Sequence, residues 1–225
     1  MLDRFAATFL DLDVAARYAP AILAGLFVTV AIGLAVIVTG LAIGLALAVL
    51  RAFAFRIVNF LLIQIVDILR ALPPLVIILV IYFGFPNLGI VIPSAVVLWM
   101  SLSAVLAAFS EELFWAGITS IPQGQWLAAR STGLSFFQTL RHVVLPQAVR
   151  IALPPLTSRT IAITKNTALG SAIGVNEILG QATSAEAFSA NATPLTMAAV
   201  LYVLLFLPLV IASRSLEHRY SAGRR

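Results

Sequence analysis

Long apolar runs alternate with short polar connections along this 225-residue chain. Such runs are typical of membrane-spanning helices, each of which needs about 20 mostly apolar residues. The pattern predicts an all-α integral membrane protein with about five spans, at residues 20–50, 57–85, 90–117, 149–175 and 195–213. The first run carries no charged residue, so it has length to spare for tilt or bending.

Three segments frame or interrupt these spans. Residues 1–19 are polar and are expected to form a surface helix or arm; without a basic start and with a long apolar run behind them, they do not fit a signal peptide. A transmembrane domain is expected over residues 20–219, followed by a basic tail at residues 220–225. Within the domain, residues 120–146, named here the basic loop, are polar and positively charged.

The basic loop has the local pattern of two short helices. Ser120 is expected to cap the first helix, and Gly133 is expected to end it in a left-handed conformation. Ser135 and Gln138 have the spacing of a capping box for the second helix, which Pro146 is expected to stop. This pattern alone fits a passive connector as well as a functional element.

Two spans combine paired prolines with ionisable residues. Pro73 and Pro74 are expected to break the second span because they remove backbone donors, and Pro154 and Pro155 are expected to interrupt the fourth. Ionisable groups at membrane depth generally face a polar interior or a water-filled cavity. We therefore expect a solute path lined by a set of polar or helix-breaking residues: Asp67, Arg70, Pro73, Glu112, Arg159, Lys165 and Asn166.

The spacing of these residues along the sequence predicts which of them share a helix face. Asp67 and Arg70 share a helix face and are either a structural ion pair or part of the path. Arg159 and Asn166, seven residues apart, are expected on one face of the fourth span.

Glu111 and Glu112 are neighbours that point about 100° apart on a helix, so catalysis and metal binding are not expected of them. We expect one of the two to face a partner helix or the path and the other to face the membrane surface. The chain contains no cysteine, which excludes disulfides and thiolate metal sites. No metal site is predicted.

The composition agrees with a membrane protein, since 61% of the residues are hydrophobic, 10% are charged and the mean hydropathy is +1.06. The net charge of +5 comes from scattered arginines rather than a dense basic run, so nucleic acid is not an expected partner. Instead, the arginines concentrate in alternate connections. By the positive-inside rule, five spans then place the N-terminus outside and the basic loop and C-terminus in the cytoplasm.

The basic loop also carries a longer pattern, Ala-Ala-x3-Gly-x9-Val-x-Leu-Pro, at Ala128, Ala129, Gly133, Val143, Leu145 and Pro146. It resembles the EAA loop of the membrane subunits of bacterial ABC importers, Glu-Ala-Ala-x3-Gly-x9-Ile-x-Leu-Pro. Other phrases resemble the polar amino-acid permeases, and the resemblance covers residues 20–220: SIPQGQW at 120–126, LPQAVRIALPPL at 145–156, LR..P at 69–73, IYFG at 81–84 and IGV.E at 173–177.

This resemblance implies a type I ABC importer permease in the bacterial cytoplasmic (inner) membrane, working by alternating access. The implied partners are a cytoplasmic ABC ATPase dimer, a second copy or paralogue of the permease, a periplasmic or surface-anchored solute-binding protein, and membrane lipid. ATP and Mg²⁺ would bind to the ATPase. The chain itself is expected to bind no cofactor and not to be an enzyme, because its only lysine, Lys165, lacks the glycine-rich run of a P-loop.

In that family the loop docks into a groove on the ATPase. Carried over by position, the coupling residues are Leu127, Ala128, Ala129, Arg130, Gly133, Leu134, Arg141, Val143, Leu145 and Pro146. The apolar side chains suited to fill a groove are Leu127, Leu134, Phe136 and Phe137. Arg130 and Arg141 are suited to meet an acidic rim.

The sequence departs from the family pattern at several positions, since Leu127 replaces the leading Glu and Asn166 replaces the Asp of a Lys-Asp pair. Two other classes of function remain open from the residues alone. An ion-coupled secondary transporter or channel would also use buried charges, but the internal repeat common in such folds is not evident. A membrane scaffold would use the basic loop for docking without moving a solute.

Overall fold

The computed structural model describes residues 1–222, with residues 2, 3 and 216–222 described by their backbone alone. In this part of the chain the regular structure is helical, as the apolar runs predicted. The α-helices are α1 (Leu2–Phe9), α2 (Leu12–Ala52), α3 (Arg56–Ala71), α4 (Pro74–Gly84), α5 (Ser94–Thr119), α6 (Gln123–Ser131), α7 (Phe136–Thr139), α8 (Leu145–Lys165), α9 (Ile178–Ser189) and α10 (Thr193–Ala222).

The chain forms two compact units, each assembled from separate stretches of sequence. The first unit contains Met1–Ile37, Pro73–Ser103 and Ile161–Ile211. The second contains Val38–Leu72, Ala104–Thr160 and the described residues from Ala212 to Ala222. The last residues of the predicted basic tail, 223–225, lie outside the described residues.

Three helical stretches of the described chain are long and apolar enough to cross a membrane: Arg4–Ala52, Ser94–Thr119 and Thr193–Ser215. The bent pair of α3 and α4 can be counted as a fourth span. The α8 helix is not among these stretches, and its sequence contains Arg150, Arg159 and Lys165. The prediction of five spans, and of the orientation that depends on it, therefore stays a prediction.

Residues 1–19, the predicted N-terminal arm, contribute to two helices. They contain α1 and the start of α2, which continues past Pro20. The carboxylate of Asp11 accepts hydrogen bonds from the backbone N–H groups of Asp13 (2.9 Å) and Val14 (3.1 Å), which caps α2 well before the predicted start of the span. The preceding helix is held by Asn191, whose side-chain amide donates to the carbonyl of Ala7 at 2.8 Å. Pro20 lies inside α2 without ending it.

The two proline pairs behave differently. Pro73 and Pro74 separate α3 from α4, which confirms the predicted break in the second span. The prediction that Pro154 and Pro155 interrupt the fourth span is wrong, because α8 continues through both. Proline already has a helical φ angle, and membrane helices can absorb the loss of backbone donors through neighbouring groups.

Helical structure changes type after α8, at Asn166 rather than at the prolines. Residues Asn166–Ile173 form a 3₁₀ helix, which ends at Gly174 with a positive φ of 74°. The predicted loop at residues 176–194 then contains α9. The carboxylate of Glu177 caps this helix by accepting a hydrogen bond from the N–H of Gly180 at 2.6 Å.

The small residues of α2 allow close packing within the second unit. A Cβ atom added to Gly44 would lie 2.5 Å from the Cβ of Ser110 in α5, and one added to Gly40 would lie 2.8 Å from Leu106. Gly40 and Gly44, four residues apart, have the small-residue spacing that lets another helix approach closely. The main apolar cluster of this unit includes Phe114, Leu140 and Val144, so the basic loop is anchored in a packed core.

Candidate functional site

The first helix of the basic loop begins later than predicted. Ser120 is not its cap, because the Ser120 hydroxyl donates back to the carbonyl of Gly117 at 2.8 Å, just after α5 ends. Instead, α6 starts at Gln123 with Pro122 at its N-cap. The extended φ and ψ of Pro122 (−56° and 140°) turn the chain between the two helices without a side-chain cap.

Gly133 ends the first helix as the sequence predicted. Its φ is +91°, a conformation that favours glycine, and its N–H donates to the carbonyl of Arg130 at 3.0 Å. The second helix begins with the predicted capping box. The Gln138 N–H donates to the Ser135 hydroxyl at 3.3 Å, and the Ser135 N–H donates to the Gln138 side chain at 2.8 Å.

Pro146 does not stop the second helix, contrary to the sequence prediction. The chain passes from α7 through a π-helical turn, Leu140–Val144, directly into α8, and Pro146 lies in the first turn of α8. A proline ring crowds the carbonyl four residues earlier, here that of His142, which belongs to the wider π turn. The second helix of the basic loop is thus continuous with α8, a helix of the core.

The predicted coupling residues divide into an exposed set and an anchoring set. Leu127 is 66% exposed, and Phe137 is 50% exposed, while Ala129 is only 7% exposed. Phe136 is half-buried because its ring stacks on Trp126 at a centroid distance of 5.5 Å. The exposed set is Leu127, Ala128, Arg130, Gly133, Phe137, Arg141 and Pro146; Leu134, Val143 and Leu145 are half-buried.

Three residues predicted to line the solute path meet in the second unit. Arg70 lies 3.4 Å from the carboxylate of Asp67 on its own helix, which confirms that the two can pair. Its other terminal nitrogen forms an ion pair with Glu112 of α5. One guanidinium therefore links two carboxylates from two helices.

A fourth predicted residue joins this group through an aromatic ring. The Arg159 guanidinium of α8 lies 4.0 Å from the ring centroid of Phe109, and the Arg70 guanidinium lies 5.5 Å from the same centroid. Phe109 was not predicted as a site residue from the sequence. The signal that could have identified it is its position three residues before Glu112, on the same helix face. We name Asp67, Arg70, Phe109, Glu112 and Arg159 the polar cluster.

The remaining predicted path residues belong to the first unit. Pro73 is the N-cap residue of α4, and the Lys165 ammonium lies 5.8 Å from the ring centroid of Phe206. Arg159 and Asn166 were expected on one α-helical face, but the α-helix ends at Lys165 and Asn166 opens the 3₁₀ helix. The rule that residues seven positions apart share an α-helical face therefore does not apply here, because the helix type changes between the two residues.

The two neighbouring acids differ in burial: Glu111 faces a partner helix, as predicted for one of the pair, whereas the Glu112 side chain is 45% exposed, and its predicted position at the membrane surface stays a prediction. Glu111 is fully buried and pairs with Arg51 at 3.0 Å. The Arg51 guanidinium also lies 4.7 Å from the ring centroid of Trp115. Within the described side chains, no three His, Cys, Asp or Glu residues come close enough together to hold a metal ion.

Comparison with known proteins identifies the class to which this fold and loop belong. Residues 40–222 match the family described as "Binding-protein-dependent transport system inner membrane component", so the chain belongs to that family. Its members are membrane subunits of transport systems. This membership favours the importer interpretation over an ion-coupled transporter or a scaffold.

Particular relatives are permease proteins. The chain is 34% identical to the "Probable amino-acid ABC transporter permease protein YckA" of Bacillus subtilis strain 168, over 72% of each chain. It is 33% identical to the "Arginine ABC transporter permease protein ArtQ" of Haemophilus influenzae, over 86% of this chain and 91% of that one. A solved amino acid ABC transporter, described as crystallised with histidines, matches with a TM-score of 0.83 and 26% identity, over 93% of this chain and 99% of the other.

Proposed function

We propose that this chain is the transmembrane subunit of an ATP-driven importer for polar amino acids or closely related small solutes. Family membership supports the transport role, and relatives with amino-acid permease names support the substrate class. The single structural observation that carries the proposal is the basic loop, whose two short helices, separated at Gly133, present exposed Leu127 and Phe137.

The proposed complex has two permease chains, identical or paralogous, two cytoplasmic ATPase subunits that bind ATP and Mg²⁺, and an external solute-binding protein. With the five predicted spans, the proposed orientation has the N-terminus outside and the basic loop and C-terminus in the cytoplasm of a bacterial inner membrane. The exposed coupling residues contact a groove on the ATPase, and Arg130 and Arg141 meet its acidic rim. Continuity of the loop with α8 carries ATPase movements into the core.

The polar cluster and Lys165 are proposed to line the solute path. In the cluster, Arg70 is held between two carboxylates, whereas Arg159 has no carboxylate within 4 Å among the described side chains. Arg159 is exposed and rests on Phe109, so its guanidinium is available to a passing carboxylate. An amino acid carries a carboxylate and an ammonium group, and this cluster offers both complementary charges.

Reconstituted transport tests the proposal. The permease is purified with its co-purifying ATPase, placed in lipid vesicles, and supplied with radiolabelled amino acids and the binding protein. Uptake is expected only with ATP and Mg²⁺ on the ATPase side. Uptake that proceeds without ATP but requires an ion gradient would contradict the proposal, as would the absence of uptake for every amino acid that the binding protein holds.

A further inference from the structure

The turn between α2 and α3 is built around aromatic residues that contact the basic loop. We name Phe53, Ala54 and Phe55 the aromatic corner. The ring of Phe53 lies edge-on to Phe136, with the ring centroids 5.5 Å apart, and stacks on Phe137 at 6.4 Å. Phe55 continues the row, with its ring nearly parallel to that of Phe53 at 6.1 Å.

The aromatic corner is held in a defined conformation. Ala54 has a φ of 57°, which is uncommon for a residue with a side chain, and its N–H donates to the carbonyl of Arg51 at 3.1 Å. The side-chain amide of Asn59 donates to the same carbonyl at 2.9 Å. The guanidinium of Arg51 is in turn anchored on buried Glu111. The corner therefore keeps its position relative to the loop without any partner.

Much of this aromatic row nevertheless remains uncovered. Phe53 is 36% exposed, Phe55 55% and Phe137 50%. Arg56 follows the corner directly and is exposed, as are Arg130 and Arg141 of the loop. For these three arginines, the described side chains provide no carboxylate within 4 Å. Exposed aromatic rings flanked by unpaired arginines are the composition of a protein-binding surface.

We propose that the aromatic corner and Arg56 form a second part of the ATPase-docking surface, continuous with the basic loop. The inference rests on the proposed function. Its partner is the ATPase subunit that docks the loop, which would offer an apolar patch beside an acidic rim. Contact of Phe53 with both Phe136 and Phe137 favours this partner over the membrane surface, because it holds the corner beside α7 of the basic loop.

The absence of cysteine from the chain permits a direct test. Phe55→Cys places one thiol in the corner, and Phe188→Cys places a control thiol in α9, in the connection between the predicted fourth and fifth spans, at a position that is 83% exposed. Each variant is reconstituted in lipid nanodiscs and labelled with a water-soluble maleimide, before and after addition of the ATPase that co-purifies with the wild-type chain. We expect labelling at position 55 that the ATPase suppresses, and labelling at position 188 that the ATPase leaves unchanged.

Affinity measurements provide the second readout. Phe55→Ala and Arg56→Glu are each expected to weaken ATPase binding about tenfold, while Phe60→Ala leaves it within about twofold. The effect of Arg56→Glu should shrink at high salt, since exposed charges are screened.

Three results would overturn the inference. The first is labelling at position 55 that the ATPase does not suppress, although the wild-type complex forms. The second is a thiol at position 55 that stays unlabelled both without and with the ATPase, because lipid covers it. Both leave the proposed function standing. If the wild-type chain binds no ATPase at all, the proposed function fails and this inference fails with it.

Discussion

Arg51 at the end of α2 and Glu111 in α5 form an ion pair at 3.0 Å, with the carboxylate completely buried and the arginine side chain 19% exposed. Trp115 covers the guanidinium from one side, its ring centroid 4.7 Å from it. Removal of either charge leaves the other without its partner in the core of the second unit. This pair therefore fixes the end of α2, and the aromatic corner that follows it, against α5.

Arg51→Met is expected to destabilise the chain by about 3–5 kcal/mol, because it leaves the buried Glu111 carboxylate uncompensated. The double variant Arg51→Met/Glu111→Leu should recover most of that loss. As a control, Asp67→Asn removes an exposed partner and should change stability by less than about 1 kcal/mol. Denaturant unfolding in detergent measures all three, and a double variant no more stable than the single one would contradict the explanation.

Gly44→Ala tests the close approach of α2 to α5. The added Cβ would lie 2.5 Å from the Cβ of Ser110 and 2.8 Å from the carbonyl of Ala107, so the helices must move apart at about 1–3 kcal/mol. Gly84→Ala is the matched control, since no atom lies within 4 Å of its added Cβ. Equal melting temperatures for the two variants would show that α2 and α5 do not pack this closely.

Tyr202→Phe tests the polar contact that anchors α9 in the first unit. The Tyr202 hydroxyl donates to the buried Glu177 carboxylate at 2.5 Å, and a hydrogen bond to a charged group contributes about 1.5–3 kcal/mol. Tyr82→Phe is the control, because the Tyr82 hydroxyl has no hydrogen-bond partner in the described chain. Hydrogen exchange should increase across α9 in Tyr202→Phe alone, and unchanged protection there would refute the anchoring role.

Local rules predicted the parts of this structure that neighbouring residues determine. The positive φ of Gly133, the capping box of Ser135 and Gln138, and the pairing of Asp67 with Arg70 each depend on residues a few positions apart. Residue types at these spacings carry enough information because the stabilising contacts lie within one helical turn.

Contacts between distant segments account for what the sequence did not reveal. Glu111 lies sixty residues from Arg51, so its burial could not be inferred from the residues around it. The same holds for Phe109, which meets Arg70 and Arg159 only in the folded chain. Pro146 resembled a stop signal, but the π turn before it admits the proline ring and lets the helix continue.

Alanine variants test the solute path. Arg70→Ala, Glu112→Ala and Lys165→Ala are expected to lower uptake or change the preferred amino acid, because each removes a charge proposed to face the solute. Arg159→Ala should weaken solute uptake, because the variant lacks the guanidinium proposed to contact the carboxylate of the solute. Arg17→Ala, an exposed arginine whose described contact is the ring of neighbouring Tyr18, is the control. If uptake and preference are unchanged in all four test variants, the path assignment is wrong.

The central claim is that the basic loop transmits ATPase movement, and Gly133 offers the most direct test. Gly133 and Gly124 both have open space around an added Cβ, but only Gly133 has a positive φ. Gly133→Val should therefore strain the junction between α6 and α7 by about 1–2 kcal/mol, whereas Gly124→Val leaves the backbone conformation intact.

The decisive measurement is ATP turnover stimulated by solute-loaded binding protein, with the permease and its ATPase together in lipid nanodiscs. The account predicts that Gly133→Val loses most of this stimulation and that Gly124→Val keeps it. Asparagine tolerates a positive φ, so Gly133→Asn should keep the stimulated ATP turnover. That result would show that the loss in Gly133→Val comes from the backbone conformation. Wild-type stimulation in Gly133→Val, with normal ATPase co-purification, would contradict the account.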